Sequence, residues 1–550
     1  MNQWILSALV LITTSVSFAS ANIDSKSLIP LVSPSAKKGG TLSIALDSEP
    51  ENLNPINSTD YYAQQVHDFT CDGLMSLNYD TYDWMPGLAE SYEVGKDGMS
   101  YTFHLRKNAK FHDGTPVTAE DIKFAIDAVK DPKFKASHRL PYYENIGDVT
   151  VIDPYTVRFQ IKQVYFNNFS VIVGNEDTRI VPKKQYGDPK KKMSKKLICS
   201  GPYKLSKYNK GKSIELVRNK DWWGWSTPYL NNAYNYDKII LRFVKEENLQ
   251  LQMMEKGQID FLPVGKEAFY KKTLKEPWGK TIKKIEVENN APKGFGFVGW
   301  NLLDPKFQDK NVRQALTHLM NRELINEKFR YGKSALATGP WYRYSVYADQ
   351  AVQPLKFDPE LAKTMLDKTG WKDSDKDGVR DKLIDGKKTD FSFTLLLPTR
   401  DVEKYFTLYK EDLKKAGIRM DIKYVEWNTF LKSVDSKKFE ALAMGWGPGS
   451  VHVDPKQIWH SSSARAGGSN FISYSNKEVD KLIDQARLTL SHNDRAKILR
   501  KVYRIIADDA PYLFMFNDPL VNYAISNKVG QVKETYRFGV GKQYWWSKNL

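Results

Sequence analysis

Residues 110–125 read KFHDGTPVTAEDIKFA, and the reading of the whole chain turns on this stretch. His112, Asp113, Gly114, Thr115 and Pro116 have the composition of a tight turn, and Thr118 follows where a helix cap belongs. The Thr118 side chain can accept a hydrogen bond from the first helical turn, and Glu120 and Asp121 sit at the positive end of the helix dipole. Local chemistry therefore fixes where this helix starts. On either side, residues 101–111 (YTFHLRKNAKF) and 155–163 (YTVRFQIKQ) alternate apolar and polar residues as antiparallel strands do.

Further out, residues 40–55 (GTLSIALDSEPENLNP) read as a strand followed by an irregular loop, and residues 61–77 have helical apolar spacing. Residues 199–219 (CSGPYKLSKYNKGKSIELVRN) begin with a Gly-Pro turn into an alternating hairpin. Residues 237–264 (DKIILRFVKEENLQLQMMEKGQIDFLPV) give a strand, a helix carrying Leu249, Met253 and Met254, a stop at Gly257 and a second strand. That order is a beta-alpha-beta unit and predicts an α/β lobe. Residues 289–307 (NNAPKGFGFVGWNLLDPKF) lead into a helix within 309–329, and residues 493–518 give a long amphipathic helix, Ala510-Pro511 and a strand.

Four of these phrases, at residues 111–122, 201–203, 312–316 and around Ala510-Pro511, occur in this order in the family 5 extracellular solute-binding proteins, the oligopeptide and dipeptide binders of ABC importers, and the chain resembles that family over nearly all of its mature length. Asn321-Arg322 stands where many members have Asp-Arg. The resemblance implies a two-lobed α/β periplasmic binding protein with an extra subdomain in its first lobe. Its parts are expected at 40–70 and 199–290 (first lobe), 71–198 (accessory subdomain), 291–511 (second lobe) and 512–550 (return to the first lobe). Paired crossing strands are expected after Ala291 and after Ala510. The implied function is capture of a peptide or oligopeptide-like solute by lobe closure and delivery to a membrane permease, by a monomer without catalytic activity or cofactor. An oligosaccharide or a small metal complex is the alternative ligand, and a secreted hydrolase the alternative class.

At 550 residues the chain is too long for one core, so two or three domains are expected. Its first residues, MNQWILSALVLITTSVSFASAN, have an apolar run from Trp4 to Val16, then Ala19 and Ala21 spaced as a cleavage site. A run this short does not span a bilayer, and residues 1–21 read as a cleaved signal peptide that directs the protein to the periplasm. No cysteine follows the run for lipid attachment. Cys71 and Cys199 are the only cysteines, and they are either paired or two separate thiols. The resemblance places both where the chain leaves and re-enters the main sheet, which implies a disulfide. Closing a loop of about 130 residues stabilises a fold by roughly 3–5 kcal/mol.

The 82 Lys and Arg against 65 Asp and Glu give a formal charge of +17. The densest basic run, residues 183–196 (KKQYGDPKKKMSKK), is broken by Gly and Pro and lacks aromatics spaced to stack bases, so it reads as a solvated loop and not as a nucleic-acid surface.

GFGFVG at 294–299 matches a dinucleotide-binding pattern, but its alternating aromatics continue into Trp300 as a strand, so no phosphate cradle is read there. Residues 373–385 (DSDKDGVRDKLID) resemble a calcium loop through Asp373, Asp375, Asp377 and Asp381, with Ile384 where a bidentate Glu is needed. A bound calcium ion and a plain polar turn are both open. His452 and His460 show no metal-ligand spacing, although nickel carriers share the resembled fold. Aromatic residues are abundant, and Trp446 stands out because a predicted strand precedes it and a Gly-Pro turn follows. In peptide-binding relatives a Gly-Trp phrase here lies in the cleft, and an Asp shortly after it holds the peptide's amine. This chain has Gly447, Pro448, Gly449 and Ser450 there, and Asp454 is the first carboxylate. The ligand is therefore expected against Trp446, Gly447, Ser450 and Asp454, with Trp300, Asn301, Tyr62 and the 52–62 loop as neighbours.

Overall fold

Two sheets organise the chain. The computed structural model describes residues 32–550 apart from 59, 79, 81–82, 137–138, 175–178, 290, 466–467 and 538, so the signal peptide expected at 1–21 lies outside the described residues. Among these, no helix is long and apolar enough to cross a membrane.

The first lobe is built on a seven-stranded sheet in the order Ile282–Glu288, Leu520–Ser526, Phe261–Pro263, Thr41–Leu46, Lys238–Phe243, Ser213–Arg218, Tyr203–Asn209. Its centre is the expected beta-alpha-beta unit: Lys238–Phe243 and Phe261–Pro263 both run parallel to Thr41–Leu46, and the helix Glu247–Glu255 connects them. The hairpin after Gly201-Pro202 forms one edge. Gly201 has to be small, because a Cβ there would lie 2.5 Å from the Thr70 carbonyl carbon. This close approach sets Cys199 against Cys71, and the two form a disulfide with Cα atoms 4.9 Å apart.

Between the two cysteines lies the accessory subdomain, a four-stranded sheet in the order Ala89–Val94, Ser100–Leu105, Thr156–Ile161, Ile146–Asp153. The helix Ala119–Lys130 packs on it through Ile122, Phe124, Ile126 and Val129. Its start is closed by the expected Thr118 cap as a capping box with Asp121, whose Oδ2 accepts from the Thr118 N–H (3.0 Å) and the Thr118 hydroxyl (2.8 Å).

The second lobe holds a six-stranded sheet in the order Ala335–Leu336, Tyr512–Asn517, Phe295–Trp300, Ala441–Trp446, Ser392–Leu397, Arg419–Tyr424. The GFGFVG phrase is a central strand, paired on both sides. Here one expectation is corrected. Ala510 is not a crossing point: it adopts a left-handed conformation (φ 44°) that caps the helix His492–Asp509, and Tyr512–Asn517 then pairs with Phe295–Trp300 inside the second lobe. The chain crosses between lobes at 289–294 and 518–519, so the return to the first lobe begins after Asp518, not at 512. The crossings are neighbours, since Asn517 Nδ2 donates to the Gly294 carbonyl (3.2 Å). At the second, Asp518 accepts both Arg330 Nη2 bonds (2.6 and 2.7 Å) and one from Ser334 Oγ (2.6 Å), with Lys266 of the first lobe 3.5 Å away.

Candidate ligand-binding cleft

Strand geometry decides which side chains reach the space between the lobes. Along Phe295–Trp300 successive side chains face opposite sides of the sheet. Phe295 and Phe297 join one hydrophobic cluster of the second lobe, and Val298 and Trp300 join the other. On the Phe297 side, Trp446 stacks on Phe297 (centroids 6.2 Å apart, planes at 17°) and on Phe471 (5.9 Å, 28°), while Phe297 lies flat on Tyr512 at 3.9 Å. Trp446 is the half-buried end of this stack and borders a cavity of ≈ 240 Å³.

Three parts of the chain enclose that cavity. The second lobe contributes Trp446, the turn with Gly447 and Ser450, and Trp341; the first crossing contributes Lys293; the accessory subdomain contributes Tyr142 and Asn167. The crossing runs so close to the strand end that a Cβ on Gly294 would lie 2.2 Å from the Trp446 carbonyl oxygen. Lys293 is buried, and its ammonium donates to Asn289 Oδ1 at 2.7 Å. Burial pushes its pKa down to about 8, with Glu288 acting weakly in the other direction. Burial likewise holds His452 on the cavity wall down at about 4, aided by Arg495 and His492, so this imidazole is neutral at ordinary pH.

Asp454 lines the cavity but is already committed. Its Oδ2 accepts from Tyr165 Oη of the accessory subdomain (2.6 Å) and from Arg487 Nε of the second lobe (3.0 Å), and its Oδ1 accepts from the Lys456 N–H (3.1 Å). The Tyr165 hydroxyl is held well above its ordinary pKa by burial and by this carboxylate. Burial alone would lower the Arg487 pKa, but Asp454 and Tyr165 more than offset it. The same seam carries Phe166 N–H to Arg487 carbonyl (3.0 Å), Tyr142 Oη to Gln457 Oε1 (2.7 Å) and Glu144 3.6 Å from Arg487. Asp454 thus lines the cavity, as expected, and is at the same time the centre of a bridge between subdomain and second lobe.

The structure places the other expected residues as follows. Trp446, Gly447 and Ser450 come together on the cavity. Trp300 does not: it is fully buried on the opposite face of its strand, against Phe307 and Phe393. Asn301 is a buried structural amide that donates to the Lys437 and Phe439 carbonyls and accepts from the Leu303 N–H. Tyr62 packs on the first-lobe core, and among the described residues of the 52–62 loop none lines the cavity. This loop is instead tied down by Arg139 to the Pro55 carbonyl and by Asn57 to the Phe134 carbonyl.

In the acidic turn, oxygens of Asp373, Asp375 and Asp377 lie within 4.8 Å of one another and all three residues are exposed. Asp381 is not in the group. It accepts from the Ser374 N–H (2.9 Å) and hydroxyl (2.7 Å), and Lys388 reaches both Asp381 (3.6 Å) and Asp375. His460 lies away from His452, hydrogen-bonded to Ser462 and 3.4 Å from Asp484. The cavity residues that sequence reading did not select, Lys293, Trp341, Tyr142 and Asn167, sit in ordinary-looking phrases; Lys293 lay within the NAPKG segment already recognised as a crossing.

Comparison with known proteins adds the following. The model of the family described as bacterial extracellular solute-binding proteins, family 5 Middle, matches residues 83–468. The oligopeptide-binding protein AppA of Bacillus subtilis is 28% identical over 522 residues, covering 93% of this chain and 92% of that protein. The dipeptide-binding protein of Escherichia coli is 25% identical over 525 residues, covering 89% and 91%. The structure of AppA from Bacillus subtilis in complex with a nonapeptide superposes with a TM-score of 0.77 at 27% identity, covering 93% of this chain and 99% of that one.

Proposed function

The chain belongs to the bacterial extracellular solute-binding proteins of family 5, and we propose from this that it captures a peptide or peptide-like solute between its lobes, outside the cytoplasmic membrane, and hands it to the permease of an ABC importer. The observation that carries the reading is the cavity at the junction of the second lobe, the first crossing and the accessory subdomain. A cavity lined from the second lobe and from the accessory subdomain of the first is what closure of the lobes on a solute calls for. Relatives named as oligopeptide- and dipeptide-binding proteins support the peptide class.

The mechanism follows from where the contacts lie. Solute enters while the lobes are apart and meets Trp446, whose orientation is fixed in advance by Phe297 and Phe471. An aromatic face held in this way contributes contact area with little loss of side-chain entropy. Rotation about 289–294 and 518–519 then brings Tyr165 onto Asp454 and shuts the cavity. Closure is a shift between two populations, bounded by how much better the solute fits the closed form.

Native mass spectrometry of protein purified without denaturation tests this, together with small-angle scattering with and without the released solute. A bound peptide and a smaller radius of gyration are expected. A peptidase assay on the same sample tests the alternative class. Peptide turnover, or no compaction with saturating solute, would refute the capture reading.

A further inference from the structure

The polar inventory of the cavity is unbalanced. Its carboxylate, Asp454, is spent on Tyr165, Arg487 and the Lys456 N–H. His452 is neutral. On the other side stands Lys293, a compact charge with three donors. One of them goes to the neutral amide oxygen of Asn289, and Glu288 acts on the ammonium only weakly through space, with no ion pair to Lys293 among the described residues. Also on the wall, Trp341 is 7% exposed and its buried indole N–H has no partner among the described residues. An indole can only donate.

We infer that the cleft recognises its solute through an anionic oxygen group, a terminal carboxylate if the solute is a peptide, held by the Lys293 ammonium and the Trp341 indole N–H. This deepens the capture reading and rests on it. The charge logic is that of buried ions in general: an unpaired ammonium out of water is costly, and an incoming anion completes the pair. The fall of the Lys293 pKa agrees, since burial outweighs the weak pull of Glu288. Position matters as well. Lys293 lies on the first crossing, next to Gly294, whose carbonyl is bonded to Asn517 just before the second crossing. An anion bound there therefore touches the segment about which the lobes turn. Asn167 of the accessory subdomain, with an unpaired buried side-chain oxygen, supplies an amide that can serve a second polar group of the solute.

The test is affinity capture of an equimolar tripeptide library in four forms: free ends, C-terminal amide, N-acetyl, and both blocked. Wild type, Lys293→Met and Lys293→Arg are compared. Wild type is expected to retain both free-carboxylate forms at least tenfold better than the amides, with little effect of acetylation. Lys293→Met is expected to lose that preference by weakening the acids alone, and Lys293→Arg to restore part of it. Equal retention of acids and amides by wild type would overturn the inference, as would an intact acid preference in Lys293→Met with an unchanged melting temperature. If no peptide form is retained, the peptide reading falls separately. A thermal-shift panel of small organic acids against their amides then decides the anion inference: stabilisation by acids alone supports it, and stabilisation by amides, or by none, overturns it.

Discussion

Tyr165→Phe removes one hydroxyl and nothing else from the seam between the accessory subdomain and the second lobe. The hydroxyl donates at 2.6 Å to Asp454 Oδ2, and both side chains are largely out of water. A hydrogen bond to an ionised group contributes about 1.5–3 kcal/mol. Asp454 keeps Arg487 and the Lys456 N–H in the variant, and the Phe ring preserves the stacking of the Arg487 guanidinium, now 4.4 Å from the Tyr165 ring centre. The loss is therefore taken as about 1–2 kcal/mol, and because the bond joins the accessory subdomain to the second lobe, on the capture reading it acts on closure. A shift of that size changes an equilibrium about 5- to 30-fold. Titration calorimetry should find the solute's Kd raised by about that factor, with the melting temperature of the solute-free protein nearly unchanged. Asp454→Asn makes the contrast. It also strips Arg487 of its charge partner inside the second lobe, and breaking such a pair costs about 3–5 kcal/mol. It should lower stability and weaken free-amine and acetylated ligands alike. A Tyr165→Phe protein that binds within twofold of wild type, or an Asp454→Asn protein that discriminates only against free amines, would refute the bridge and restore the amine clamp.

Trp446→Ala should weaken solute binding about tenfold or more, the usual loss for an aromatic anchor in a desolvated site, as measured by calorimetry on protein whose circular dichroism is unchanged. Titration of denatured, unreduced protein with a thiol reagent should find no free thiol, since Cys71 and Cys199 are bonded; two thiols would contradict this. For acid ligands, affinity should be flat well below pH 8 and fall as the pH rises through it. The empty-site pKa of Lys293 is about 8 and a bound anion favours the ammonium, so above pH 8 binding must take up a proton. Glu288 pulls weakly the same way, His452 is neutral throughout this window and Asp454 is paired, so Lys293→Met should abolish the dependence in calorimetry at pH 7, 8 and 9. Millimolar calcium should leave the melting temperature unchanged, because Lys388 already pairs with Asp375 and Asp381 of the acidic turn; a clear upward shift would show that the turn binds the ion.

The fold was legible where its signals are local. A Gly-Pro turn, a beta-alpha-beta alternation and a capped helix each specify themselves over a dozen residues. The second crossing was misplaced because the local signal, Ala510-Pro511, marks the end of a helix, and only the pairing of Tyr512–Asn517 with a strand more than two hundred residues earlier says which lobe it joins. Trp300 and Asn301 lie close in sequence to the first crossing. The strand's two-residue period then turned Trp300 to the far face, while Phe297, three residues before it, stacks beneath Trp446. Asp454 was found, but its partners come from distant parts of the chain, Tyr165 by 289 positions and Arg487 by 33. No local reading can tell a free carboxylate from a spent one.

That distinction separates scaffold from site. Several buried cations of the second lobe find their main partners within the protein: Arg330 grips Asp518 with two bonds, Arg313 bonds to the Phe307, Gln308, Asp509 and Ala510 carbonyls, and Arg487 holds Asp454. Each of these cations ties one segment of the chain to another. Lys293 is buried to a similar degree but meets one neutral oxygen and the wall of a cavity. A lysine serving only to brace the crossing would gain from a carboxylate or from several carbonyls, as Arg313 does, and a residue serving only to fill space would gain by being apolar. Neither holds at this position. The arrangement is stable only in the sense that the rest of the fold tolerates it, and the missing partner is supplied when the cleft is occupied.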